Sequence, residues 1–222
     1  MILLFMDFKV DGKTVVVIGG GFEGCRKIQN FLGSTAKITV VSANFSEGIT
    51  ALAEQGKIQL YQTQIKDAQA FVDHLTPKPD MLLAVTDDSE LNVKLVRAAK
   101  NVGCIVYCVS DPSLSDFILP AIARVGPVRI AVSTGGKSPA VSKALRQRIE
   151  QLVTPEDLLA IELQMYLRNL LKTSVFDQHV RGKFLNETLN NVDIKHALRE
   201  GNLSMAKELA LKLVQNTEVT TI

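Results

Sequence analysis

The chain has 222 residues, enough for one or two domains with a sizeable core. Apolar residues make up 46% and charged residues 22%, the balance of an ordinary globular protein rather than a disordered or fibrous one. A formal net charge of +2 argues against a dedicated nucleic-acid surface, and no apolar run reaches the roughly 18 residues a membrane helix needs.

The first segment, Met1 to Met6, is apolar but short, and Asp7 ends it. It lacks a basic start and a small-residue cleavage site, so it does not read as a signal peptide. The expectation is an edge segment packed on the first strand. Three cysteines, Cys25, Cys104 and Cys108, have no companion with metal-ligand spacing; they suit a reducing cytoplasm and a buried structural role.

The most informative segment comes next. Val15 to Ile18 is a strand-like run that enters Gly19-Gly20-Gly21-Phe22-Glu23-Gly24, a complete G-x-G-x-x-G. In a dinucleotide-binding turn the first glycine permits the tight bend. The second lets backbone approach a pyrophosphate, and the third lets the helix pack close to the sheet. A helix over Cys25 to Leu32 and a strand over Lys37 to Ser42 supply the context this motif needs. The usual acidic partner of the ribose is missing: the second strand ends at Ser42-Ala43-Asn44. No Arg stands there either, which favours NAD over NADP, with Ser42 as a candidate ribose contact.

Alternation continues: a helix over Glu47 to Gln55, a strand over Ile58 to Tyr61 and a helix over Ala68 to Leu75. Met81 to Val85 reads as a buried parallel strand, Leu91 to Val102 as a helix, and Cys104 to Val109 as a strand. This rhythm predicts an α/β fold with an N-terminal Rossmann-like parallel sheet, whose ligands bind beyond the strand C-termini. Thr86, Asp87, Asp88 and Asn92 then join Gly19, Gly21, Phe22, Glu23 and Gly24 as candidate cofactor contacts. For Asp88 the competing role is a helix N-cap.

After Pro112 the rhythm changes. Phe117 to Arg124 and Val128 to Ser133 read as two strands joined at Gly126-Pro127. Ser138-Pro139 opens a helix to about Val153, Thr154-Pro155 opens another, and the rest is helical with turns near Thr173 and at Gly201-Asn202. The expected division is a Rossmann domain over 1–112, a small dimerisation segment over 113–150 and a helical domain over 151–222. The apolar strands of the middle segment predict a homodimer, since exposed strand edges are ordinarily covered.

Several of these residues, taken in order, resemble the siroheme synthase family. Leu4 to Asp7 with Gly12-Lys13, the triple glycine with Arg26-Lys27, and Val85 to Asp88 with Asn92 are similar to that family's dehydrogenase module. So are Asp116 to Ala121 and Ala131 to Gly136 followed by Ser138-Pro139. The resemblance covers about residues 1 to 150. It implies NAD-dependent oxidation of precorrin-2 to sirohydrochlorin and, in some members, insertion of Fe²⁺. It also implies a dimer, and a tetrapyrrole cleft near the nicotinamide. No methyltransferase region is present, so the chain resembles the short members.

The resemblance also exposes a departure. The family carries an Asp two residues before the proline of the loop that here reads Ser110-Asp111-Pro112, where it is thought to act as general base. This chain has Ser110 at that position, with Asp111 one step along, and Tyr107 where Asn is frequent. Asp111, with Ser110, is the candidate catalytic pair; a turn-forming Asp before Pro is the plainer role. If the base is lost, the chain is a dinucleotide- and tetrapyrrole-binding relative without catalysis. Ser133, Thr134, Gly135, Gly136 and Lys137 precede a helix N-terminus and would suit a polycarboxylate substrate, with simple capping as the alternative. His74, His179 and His196 are scattered, and no metal ligands are expected.

Overall fold

A computed structural model describes residues 4–174 and 177–218. The chain forms two compact units, 1–119 and 120–222. The division falls at Leu119/Pro120 rather than at 112, because the intervening segment is tied to the last strand of the first unit. Asp116 exchanges backbone and side-chain bonds with Val106, N–H to O at 2.9 Å and N–H to Oδ2 at 2.9 Å. Its other carboxylate oxygen meets Lys100 at 2.9 Å.

The first unit holds five parallel strands: β1 (Thr14–Ile18), β2 (Lys37–Ser42), β3 (Gln59–Gln62), β4 (Met81–Ala84) and β5 (Ile105–Cys108). Their order is β3-β2-β1-β4-β5. The connecting helices are α1 (Phe22–Ile28), α2 (Glu47–Glu54), α3 (Ala68–His74) and α4 (Ser89–Asn101). Side chains alternate across a strand, so β1 sends Val15 and Val17 to one core and Val16 and Ile18 to the other. Both sets are buried, which is why β1 and β4 read as unbroken apolar runs. At the N-terminal end of these strands, Asp80 accepts from Lys13 Nζ at 2.7 Å and from Thr14 N at 2.8 Å. These bonds hold its carboxyl down to about 2.

One expectation fails here. The apolar leader does not pack on the first strand: Leu4, Phe5 and Met6 are 80%, 65% and 71% exposed. The strand it was to flank, β1, is paired on both sides, by β2 and β4, and has no free edge. Met1 to Leu3 lie outside the described residues. The free edge of β5 is instead covered by Ser115 and Asp116, with Cys108 N donating to Ser115 Oγ at 2.9 Å.

In the second unit, β6 (Ala121–Val125) and β7 (Val128–Val132) form an antiparallel hairpin, followed by α5 (Pro139–Glu150). The expected strand from Phe117 begins only at Ala121. Pro120 has no N–H to give a ladder, and Phe117 packs instead against Tyr107 of β5, ring centroids 5.8 Å apart. Helices α6 (Pro155–Ser174), α7 (Gln178–Asn190), α8 (Val192–Arg199) and α9 (Leu203–Glu218) bury Leu163, Leu167, Leu171, Phe184, Ile194 and Ala206 together. A turn was expected near Thr173, but α6 runs through that residue to Ser174, and 175–176 lie outside the described residues. The break between α7 and α8 was not expected; Asn191 makes it by accepting from Asp193 N and Ile194 N.

Candidate functional site

The glycine turn sits where β1 ends, between β2 and β4, the point at which the strand order reverses and a crevice opens. Gly19 has φ +124, and a Cβ there would meet Val85 O at 2.5 Å. A Cβ on Gly24 would overlap the Gly19 carbonyl, so that glycine lets α1 lie against the turn. Gly21 is different: its backbone is extended and nothing lies within 4 Å of an added Cβ. The space beside it is open, as approach of a pyrophosphate requires.

A cleft of about 650 Å³ lies against this turn. Of the residues expected to contact the cofactor, Gly24 does not line it, whereas Gly19, Gly21, Phe22, Glu23, Ser42, Thr86 and Asp87 do. So do Gly20, Ala43 to Ser46, Val85 and Val109, which sequence reasoning missed. Gly20 occupies a free position of the fingerprint, yet a Cβ there would strike Asn44 O, the Phe45 ring at 2.8 Å and Ser42 Cβ at 2.9 Å. That constraint comes from the β2–α2 loop and leaves no local signal in the motif. Glu23 would set a negative charge beside a pyrophosphate; Arg26, 2.7 Å away, keeps its carboxyl ionised below the usual range and offsets that charge with its own.

Across the cleft the assignments divide. Asp88 does not line it; its carboxylate accepts from Leu91 N at 2.9 Å and caps α4. Asn92 is fully buried and does not reach the crevice. Its amide brackets Thr86 instead, accepting from Thr86 N at 3.0 Å and Thr86 Oγ1 at 2.8 Å and donating to Thr86 O at 2.9 Å. Asn92 thus fixes the loop that forms the wall, without touching the space itself.

The Ser110-Asp111 loop follows β5. The Asp111 carboxylate accepts from Ser113 Oγ at 2.6 Å and Ser113 N at 2.9 Å. Those bonds lower its proton affinity, so it is a committed turn acceptor rather than a base tuned toward neutral pH. Ser110 Oγ lies 3.4 Å from the buried Cys108 thiol and 3.5 Å from Ser89 O. Tyr107 points to the α1 side of the sheet, where the Lys27 ammonium lies 4.5 Å from its ring centroid. Burial of Lys27 lowers its pKa to about 8.

In the second unit, Ser133 Oγ accepts from Gly135 N at 3.1 Å, and Thr134 Oγ1 accepts from Ser138 N at 3.0 Å. Both hydroxyls are engaged in the turn, which fits capping better than free ligand contacts. Gly135 and Gly136, with φ +62 and +80, and Lys137 remain exposed. Among the described residues no group of three or more His, Cys, Asp or Glu could hold a metal ion.

Comparison with known proteins accords with this geometry. An NAD(P)-binding family model matches residues 5–121, and the model of the sirohaem biosynthesis protein central domain matches 125–152. A precorrin-2 dehydrogenase of Methanosarcina barkeri is 31% identical over 96% of this chain and 94% of its own length. The chain belongs to the siroheme synthase and precorrin-2 dehydrogenase family. Siroheme synthases of Aeromonas salmonicida and Methylococcus capsulatus are each 32% identical over 91% and 89% of this chain. The chain spans only 42% and 40% of those two proteins. A solved structure titled SirC, precorrin-2 dehydrogenase, shares the fold with a TM-score of 0.73 at 21% identity, over 95% of this chain and 100% of that one. Within this family the residues around the cleft fit a dinucleotide. The open face at Gly21 leaves room for phosphate, and Ser46 carries a buried hydroxyl without a partner at the cleft wall.

Proposed function

We propose that this protein oxidises precorrin-2 to sirohydrochlorin with NAD as acceptor. The observation that carries this reading is the correspondence, over nearly the whole of both chains, with a protein named precorrin-2 dehydrogenase. In this reading Gly19 to Gly21 and the first turn of α1 hold the pyrophosphate, Ser42 faces a ribose, and the Thr86-Asp87 backbone forms the opposite wall. When bound, NAD accepts the hydride that the tetrapyrrole gives up. The chain's own residues bind and orient the dinucleotide and the tetrapyrrole, and the accompanying proton passes to solvent. The exposed turn at Gly136 and the Lys137 cation are offered to substrate carboxylates. The test is to mix precorrin-2, NAD and protein without oxygen and follow the sirohydrochlorin chromophore; its absence, with NAD bound, rejects the proposal.

One observation favours a second reading. Asp111 is held by Ser113, and Ser110 stands where the family places its carboxylate. A protein that binds dinucleotide and tetrapyrrole but lacks its own base would look like this. Insertion of Fe²⁺ into the product is a separable step; it is tested by adding Fe²⁺ to sirohydrochlorin with and without the protein.

We also propose that the protein is a cytoplasmic homodimer. Its three cysteines are free, as in a reducing compartment. Among the described residues no helix is long and apolar enough to cross a membrane. The two-stranded sheet of β6 and β7 leaves Ile122, Val125, Val128 and Ile130 only half-buried, and such a hairpin is marginal alone. Light scattering at micromolar concentration should give about twice 24.3 kDa. A monomer throughout that range contradicts the dimer.

A further inference from the structure

Ser46 occupies the N-cap position of α2, with φ −71 and ψ 158, yet its hydroxyl makes no capping bond. A serine there ordinarily accepts from an N–H of the first helical turn. The Ser46 hydroxyl is buried and lacks any hydrogen-bond partner, alone in this among the described residues. Leaving a buried hydroxyl unpaired costs stability, so a native chain that keeps one has a use for it. The residue is pinned to the glycine turn, its N–H donating to Gly20 O at 2.8 Å. It also forms part of the cleft wall beside Ser42, at the end of β2 where no carboxylate stands. Rotation about χ1 from one staggered well to another is enough to redirect the hydroxyl.

We infer that Ser46 is a cofactor-binding residue whose hydroxyl bonds the ADP-ribosyl half of the dinucleotide, the part that β2 carboxylates hold in many such folds. This rests on the proposal that the cleft takes NAD. Calorimetric titration of NAD and of ADP-ribose, with thermal melting of the ligand-free protein, tests it. Ser46→Ala should weaken both ligands by the same factor, about five- to tenfold, because the lost bond lies in their shared half. The ligand-free variant should melt no lower than wild type, since an unpaired buried hydroxyl has gone. Ser46→Thr, which keeps the hydroxyl, should bind close to wild type. Unchanged affinity in Ser46→Ala overturns the inference, as does a lowered melting temperature with intact binding, which would make Ser46 an ordinary cap. Wild-type protein that binds neither ligand overturns the NAD reading itself, and this inference with it.

Discussion

Gly20 and Gly21 are neighbours, and the structure gives them opposite sensitivities. An added Cβ at Gly20 would meet the Asn44 carbonyl, the Phe45 ring and Ser42 Cβ. The carbonyl belongs to backbone and cannot rotate away, so the β2–α2 loop must move. Overpacking of this kind costs about 1 to 3 kcal/mol. For a chain of this size that is roughly 2 to 4 °C of melting temperature per kcal/mol, so Gly20→Ala should melt several degrees lower. Gly21 is extended and open, and an added Cβ there meets nothing within 4 Å. Its main structural cost is a poorer N-cap for α1, about 1 kcal/mol or less. Gly21→Val should therefore stay folded while its branched side chain fills the space assigned to phosphate, weakening NAD about tenfold or more. Calorimetry and thermal melting of the two variants decide the matter. The reasoning is refuted if Gly20→Ala melts like wild type, or if folded Gly21→Val binds NAD normally.

Lys27 is 5% exposed, and its pKa is lowered from 10.5 to about 8, chiefly by burial. Holding it charged at pH 7 costs on the order of 3 kcal/mol, partly offset by about 1 to 2 kcal/mol from stacking on Tyr107. Lys27→Met should therefore raise stability at pH 7 in chemical denaturation. Between about pH 8 and 10.5 the unfolded chain holds the Lys27 proton that the folded chain has released, so wild-type stability should rise across that window. The Met variant should show no such rise; an identical rise would place its cause elsewhere. Asp111→Asn keeps an acceptor for Ser113 N and should fold normally. Because the carboxylate is already committed to that turn, turnover should fall less than about tenfold, whereas loss of a working base costs roughly 10²–10⁴-fold. A drop in that larger range would restore Asp111 as the base. Ser110→Asp should hold or raise turnover, and a fall would show that the loop no longer uses a carboxylate there.

Much of the first unit could be read from sequence because its determinants are local. Val15 to Ile18 and Met81 to Val85 are buried on both faces and therefore unbroken apolar runs, and the glycine fingerprint fixes where the cleft opens. What escaped depends on contacts between segments. Gly20 is demanded by Asn44 and Phe45 from another loop. Asn92 lies one helical turn from the crevice, but only the fold shows that its amide closes on Thr86. At Asp88 and Asp111 the short carboxylates bond nearby N–H groups, Leu91 N and Ser113 N, contacts that a strand-end reading of the sequence does not rank above a ligand. The break at Asn191 carries no Gly or Pro, and its capping bonds appear only once α8 has formed. Pro120, by contrast, was a visible stop signal inside the segment expected to be a strand.

The most direct test is a single anaerobic turnover of wild-type protein with precorrin-2 and NAD, measuring NADH and sirohydrochlorin in the same sample. Removal of a hydride and a proton from each substrate molecule predicts that the two products accumulate together in equal amounts. NAD binding without either product, together with product formation in Ser110→Asp, would contradict the enzyme reading and leave the natural protein a binding relative of the dehydrogenases.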